Sequence, residues 1–211
     1  MIVPTMSPSM ALAVADKVVG ANLILVDNTE TGEVFHLGLP TTLWQGQNLG
    51  YPAGCNLGAK HAKEIFGSAT LVFMNDDVLL GDGWLETLVR EVDSGVVVGA
   101  RLVEDNYATE VDGWILPYLE GYLWAVDIGD WLAYGPLDER MGIGYFEEAL
   151  FCAKAMNDGA VLKQVDVPVI HLGGQTSRNV FGDYSKLHAH LNKNRTIYLE
   201  EVRKMGISNF L

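Results

Sequence analysis

Short apolar, β-branched runs alternate with stretches of helical period through the first half of the chain. Ile2–Met6, Asn22–Val26, Thr70–Met74 and Val96–Val98 have the length and composition of buried strands. Val34–Leu37 reads as a further short strand. Helices are predicted over Leu12–Lys17 and over Ala53–Phe66, where Leu57, His61 and Ile65 share a face and Gly67 supplies the stop. Trp84, Leu85, Leu88, Val89 and Val92 recur with a helical period behind Asp82, a candidate cap. Further on, Phe146–Asn157 and Leu187–Met205 read as helices and Val161–Ile170 as extended chain. Residues 110–135 are rich in Trp, Tyr and Gly and suggest a hairpin or covering loop.

Strand and helix in alternation imply an α/β fold, a mostly parallel sheet flanked by helices. Ligands of such sheets bind beyond the carboxyl ends of the strands. Two acidic loops, at Asp27 and at Asp76-Asp77, fall at such ends. No repeat or linker divides the chain, so its 211 residues are read as a single domain. A formal net charge of −13 argues against nucleic acid and against an anionic lipid surface, both of which call for surplus Lys and Arg. Between residues 101 and 150, 11 acids face only Arg101 and Arg140, which places −9 of the −13 there. No apolar run approaches a membrane span, and the N-terminus lacks the pattern of a signal peptide. Cys55 and Cys152 read as reduced, buried thiols, so the expected location is cytoplasmic.

Four constellations carry candidate chemistry. Asn75-Asp76-Asp77 ends a buried strand; adjacent carboxylates there repel, and a divalent cation would offset that repulsion. A solvated turn is the plainer reading. Gln47–Gly58, with glycines at 50, 54 and 58, opens a helix whose N-terminus would favour an anion, but it matches neither a dinucleotide fingerprint nor a P-loop. Glu147-Glu148 starts a helix, where the helix dipole by itself favours acids. His171 follows a strand in His171-Leu172-Gly173-Gly174, while His188 and His190 read as surface or packing residues.

The order of these pieces resembles the family 2 glycosyltransferases of the GT-A fold over about Ile2 to Thr176. The similarity is densest from Glu120 to Gln175. There Gly121, Gly135-Pro136-Leu137-Asp138-Glu139-Arg140, Gly144-Tyr145-Phe146-Glu147-Glu148, Gly159 and His171-Leu172-Gly173-Gly174-Gln175-Thr176 fall in the family's order. Asn75-Asp76-Asp77-Val78 looks nearest to the rhamnosyltransferase-like branch. The resemblance implies an inverting, metal-dependent transfer of a sugar from a nucleoside-diphosphate donor to an acceptor hydroxyl on a glycan, protein or small molecule. By the same resemblance Pro4 and Thr5 approach the nucleotide, Asp27 binds its base, and Asn48, Gly50 and Asn56 lie near its ribose. Asn75 and Asp76 belong to the donor site, Asp77 and His171 hold Mn²⁺ or Mg²⁺, and Glu148 is the general base. It also implies a nucleotide-sugar-binding half (1–100), an acceptor and catalytic half (101–176) and a C-terminal helical extension (177–211).

The chain departs from the family pattern at Asn75, which brings no charge, at Glu148, one methylene longer than Asp, and at Leu150 and Lys154, which replace a supporting Asp and Arg. A non-catalytic carbohydrate- or nucleotide-binding relative is therefore the alternative. A sugar-phosphate nucleotidyltransferase would need a glycine-rich basic loop after the first strand, and Met6-Ser7-Pro8-Ser9-Met10 is neither. Trp114, Tyr118, Tyr122, Trp124, Trp131 and Tyr134 suit either an acceptor platform for sugar rings or an aromatic core. The acidic half favours a neutral or cationic acceptor.

Overall fold

A computed structural model describes residues 1–101, 108–173 and 180–206. Gly174, Gln175 and Thr176 of the histidine motif, and the side chain of Trp114, lie outside the described residues. A seven-stranded sheet forms the centre. In chain order its strands are β1 (Ile2–Thr5), β2 (Ile24–Asp27), β3 (Thr42–Trp44), β4 (Thr70–Met74), β6 (Val96–Ala100), β9 (Leu123–Asp127) and β10 (Val161–Val165). Their spatial order is β10-β6-β9-β4-β1-β2-β3, parallel except for β9, which runs antiparallel to both β4 and β6. Among the described residues two small antiparallel ribbons add further strands. One pairs β5 (Val78–Leu80) with β11 (Val169–His171), and the other pairs β7 (Ala108–Val111) with β8 (Trp114–Pro117).

The helices are α1 (Pro8–Lys17), α2 (Gly50–Phe66), α3 (Trp84–Val89), α4 (Ile128–Tyr134), α5 (Glu147–Asn157) and α6 (Tyr184–Met205). Ser7 starts α1, its hydroxyl accepting from the Met10 amide, and Pro8 fits the first turn, where no amide partner is needed. Apolar side chains from both faces of the sheet are buried against helices. One layer joins Ile2, Phe73, Trp124 and Phe151, and the other joins Val3, Leu25, Met74 and Leu88. Both cysteines are buried and free. No described helix is long and apolar enough to cross a membrane.

Several sequence expectations are corrected. Val34–Leu37 is not a strand: Phe35–Leu37 is a 3-10 turn, because the Asp27 carboxylate accepts the amides of Val34 and Phe35 and curls the chain. The third strand is Thr42–Trp44 instead. Asp82 does not cap α3; Gly83, in the left-handed region at φ 74°, precedes it. Val161–Ile170 splits between the main sheet and the β5 ribbon. The segment 110–135 does contain a hairpin, but it also supplies β9, the strand between β4 and β6. Trp124 and Trp131 are core residues, with Phe73 stacked 4.5 Å from Trp124 and Phe151 stacked 5.1 Å from Trp131. They form no sugar platform.

Helix α2 approaches β1 closely because glycines face it. A Cβ at Gly58 would lie 2.4 Å from Ile2 Cγ2, and one at Gly54 would lie 3.0 Å from Pro4 Cβ. This contact sets where α2 begins relative to the ends of β1 and β2. Alanine is the better helix former, so propensity alone favours Gly58→Ala by about 1 kcal/mol. The clash decides the sign: Gly58→Ala is expected to destabilise the protein by roughly 1–3 kcal/mol in urea unfolding, with the slope unchanged.

Candidate active site

The carboxyl ends of β1 and β4 open onto a cleft of about 330 Å³. Its lining includes Pro4, Thr5, Asn28, Asn48 and Gly50 on one side, and Asn75, Asp76, Asp77 and His171 at the strand ends. Tyr118, Glu120, Gly144, Glu147 and Glu148 line the part built by the second half of the chain.

The acidic strand end is tightly arranged. Thr5 Oγ1 donates to Asp76 Oδ2 at 2.6 Å. Burial raises the Asp76 carboxyl above its ordinary range, the Thr5 hydrogen bond opposes that, and neighbouring Asp77 adds to it. The β5–β11 ribbon sets Val78 opposite His171 and brings His171 Nε2 within 3.2 Å of Asp77 Oδ1. The imidazole stacks on Tyr122 at 4.7 Å and 9°, and Asn75 Nδ2 lies 3.4 Å from Nε2. Asp77 Oδ1 and His171 Nε2, 3.2 Å apart, are an oxygen and a nitrogen donor that could face one divalent cation together. The donor set thus fits a hard divalent cation. Among the described residues no three His, Cys, Asp or Glu side chains gather around one point. The remaining ligands would be water and substrate oxygens, as suits Mg²⁺ or Mn²⁺.

Opposite stand the glutamates. Glu147 is 5% exposed, and burial and Glu148 push its carboxyl well above the usual range. Burial, aided by Glu120, pushes Glu148 up to about 7. Oε2 of Glu147 and Oε2 of Glu148 are both buried without a hydrogen-bond partner. Consecutive helical residues point about 100° apart, yet Glu147 and Glu148, the first two residues of α5, both line the cleft. The chain enters α5 through Tyr145 and Phe146, both in the left-handed region at φ 75° and 71°. That conformation costs a non-glycine residue roughly 1–3 kcal/mol.

Nine of the sequence candidates line the cleft: Pro4, Thr5, Asn48, Gly50, Asn75, Asp76, Asp77, Glu148 and His171. Two do not. Asp27 is fully buried, its carboxylate accepting from Thr29 N–H and Oγ1–H and from the amides of Val34 and Phe35. It shapes the loop after β2, and the next residue, Asn28, faces the cleft, since neighbours on an extended strand point to opposite sides. Asn56 clamps Leu137, accepting from its amide and donating to its carbonyl. The start of α2 does not offer free amides either: Gly50 N–H goes to Asn48 Oδ1 and Tyr51 N–H to the Ile143 carbonyl. Sequence reading missed Asn28, Tyr51, Glu120 and Tyr145 in the lining. Each stands beside or within a motif already singled out, but period and spacing say nothing about which neighbour faces inward.

No protein-family model matches the chain, and no curated protein matches it in sequence. Solved structures do. One is a crystal structure of GalNAc-T7 with UDP, GalNAc and Mn²⁺ (TM-score 0.59, 16% identity, 80% of this chain and 42% of that one). Another is the mannosyltransferase PcManGT from Pyrobaculum calidifontis in complex with GDP-Man and Mn²⁺ (TM-score 0.58, 15% identity, 97% of this chain and 72% of that one). The chain therefore spans less than half of the first neighbour and about three-quarters of the second. The likeness shows the fold, which is GT-A.

A carboxyl raised by folding stabilises the fold below the ordinary glutamate range, and that contribution is lost as pH rises through its folded value, for Glu148 about 7. Glu148→Gln removes this dependence. The variant should melt above the wild type at about pH 8, by up to about 3 kcal/mol, with the gap shrinking toward about pH 5. Thermal unfolding across that range checks it.

Proposed function

We propose that this protein is a glycosyltransferase that moves a sugar from a nucleoside-diphosphate donor to an acceptor hydroxyl with the help of a divalent metal. One observation carries the reading. A single cleft joins a metal-compatible Asp77–His171 pair at the strand ends to the half-buried Glu148, whose Oε2 is shielded from solvent, at the start of α5. Solved neighbours of the same fold hold UDP or GDP-mannose together with Mn²⁺, which supports the donor class and the ion.

In this reading Pro4, Thr5, Asn28, Asn48 and Gly50 border the nucleotide, and Asp27 and Asn56 act indirectly by holding the loop after β2 and the 137–139 segment. Asp77 and His171 would hold Mn²⁺ or Mg²⁺, with Asp76 beside them fixed by Thr5. The ion, when bound, supplies positive charge to the departing diphosphate. This matters because the described lining of the cleft holds no Lys or Arg. Glu148 takes the acceptor proton as the hydroxyl oxygen attacks the anomeric carbon and the bond to the diphosphate oxygen breaks. A carboxyl near 7 is both ionised and basic enough for that task around neutrality. Burial and the neighbouring Glu148 both disfavour the ionised form of Glu147 beside it. A base on the face opposite the leaving group makes the transfer inverting. The rhamnosyltransferase-like branch of family 2 is the closest reading of the motif order.

A second reading, a non-catalytic sugar- or nucleotide-binding relative, has its own observation. Leu150, one turn into α5, is 1% exposed among apolar side chains, so no ion pair from that position supports Glu148. Turnover separates the two. With Mn²⁺ and a panel of nucleotide sugars, nucleoside diphosphate release should rise when simple hydroxyl acceptors are added. Tight nucleotide binding without release from any donor would favour the second reading.

Two variants test the residue roles. Asp77→Ala should weaken Mn²⁺-dependent nucleotide binding at least about tenfold, measured by calorimetry with and without the ion. Glu148→Gln should lower turnover by about 10²–10⁴-fold and leave nucleotide affinity within about twofold.

A further inference from the structure

The C-terminal helix does not line the cleft but bonds to backbone carbonyls of the segment that does. Asn194 is fully buried, and its Nδ2 lies 2.9 Å from the Met141 carbonyl, 2.8 Å from that of Gly144 and 3.0 Å from that of Tyr145. His190 stands one turn earlier on the same face of α6, with Nε2 2.9 Å from the Gly144 carbonyl. Nε2 also lies 3.1 Å from Asn194 Nδ2; facing a carbonyl, which only accepts, it is assigned the imidazole hydrogen. The amide orientation of Asn194 is equally determined: turned over, its oxygen would face three carbonyl oxygens. The two side chains together offer three N–H hydrogens to three carbonyls. The next turn adds Tyr198, whose ring packs 5.7 Å from Phe146.

What these groups grip is the strained entry to α5. Gly144 and Tyr145 carry two of the carbonyls, and Tyr145 and Phe146 are the left-handed pair. Immediately after them come Glu147 and Glu148. A Cβ at Gly144 would lie 3.4 Å from Glu147 Oε1, so the glutamate lies over this loop. The loop's far side is held by α2, where a Cβ at Gly50 would fall 2.0 Å from the Gly142 carbonyl oxygen. Asn194 keeps this arrangement even though its own Oδ1 is left buried without a partner.

We propose that His190 and Asn194 are positioning residues, which hold residues 141–146 from behind and so fix where the acidic start of α5 meets the cleft. Their effect on turnover rests on the transferase reading; their effect on the loop does not. The closing experiment therefore has two arms on the full-length protein. In the first, deuterium exchange is followed without ligand in wild type, His190→Leu, His190→Gln and Asn194→Leu. Exchange across 141–149 should rise about tenfold in both leucine variants, with the central strands unchanged. His190→Gln, whose amide nitrogen occupies the place of Nε2, should remain near wild type. In the second arm, His190→Leu should lower kcat by about 10–100-fold with donor KM within about twofold, and His190→Gln should restore most of it. Should Asn194→Leu fail to fold, the two His190 variants decide the matter.

Unchanged exchange over 141–149 in the leucine variants would overturn the proposal. So would raised exchange with a normal kcat. A wild type that turns over no donor would defeat the transferase reading alone, and exchange would then decide the clamp by itself.

Discussion

Asp76, Asp77, Glu120, Glu147 and Glu148 all face one cleft whose described lining holds neither Lys nor Arg. Like charges in a poorly solvated space cannot all ionise, so each gives way in its own manner. Thr5 donates to Asp76 and Asp77 meets His171, so the strand-end acids have partners. Burial lifts Glu147 and Glu148, and Asp76 as well, toward the neutral form. The strand-end acids thus keep side-chain partners, whereas Oε2 of each helix-start glutamate is buried without one.

The fold supports this asymmetry through two kinds of scaffold. Parallel strand ends fix the first group with backbone precision, and the β5–β11 ribbon adds His171 across from Val78. The second group hangs on a loop, which is why it needs external support. Gly50 meets that loop from α2, and His190, Asn194 and Tyr198 meet it from α6. A helix that reads in the sequence as a C-terminal extension thus packs behind the loop that leads into α5.

Much of the architecture was legible along the chain. Buried runs such as Thr70–Met74 and the helix over Ala53–Phe66, which in the structure begins one turn earlier at Gly50, announce themselves by period and by stop residues. The aromatic stretch did not, because Trp124 and Trp131 satisfy a core and a sugar platform equally well on composition, and only neighbours from β4 and α5 decide between them. Val34–Leu37 failed for a similar reason: a carboxylate seven residues upstream, Asp27 Oδ2, captures the amides that a strand would have used.

The sequence by itself determined an α/β chain with carboxylates at strand ends, an acidic pair at a helix start and a histidine behind a late strand, because those follow from local period, capping and charge. Tertiary structure alone decided which of them meet. Asp77 and His171 are brought together across 94 positions by an antiparallel ribbon. Asp27 is turned inward while Asn28 is turned out, and Asn194 is placed behind a loop 50 residues away. Such pairings depend on register and helix packing between distant segments, and no local pattern encodes which distant partner a side chain will find.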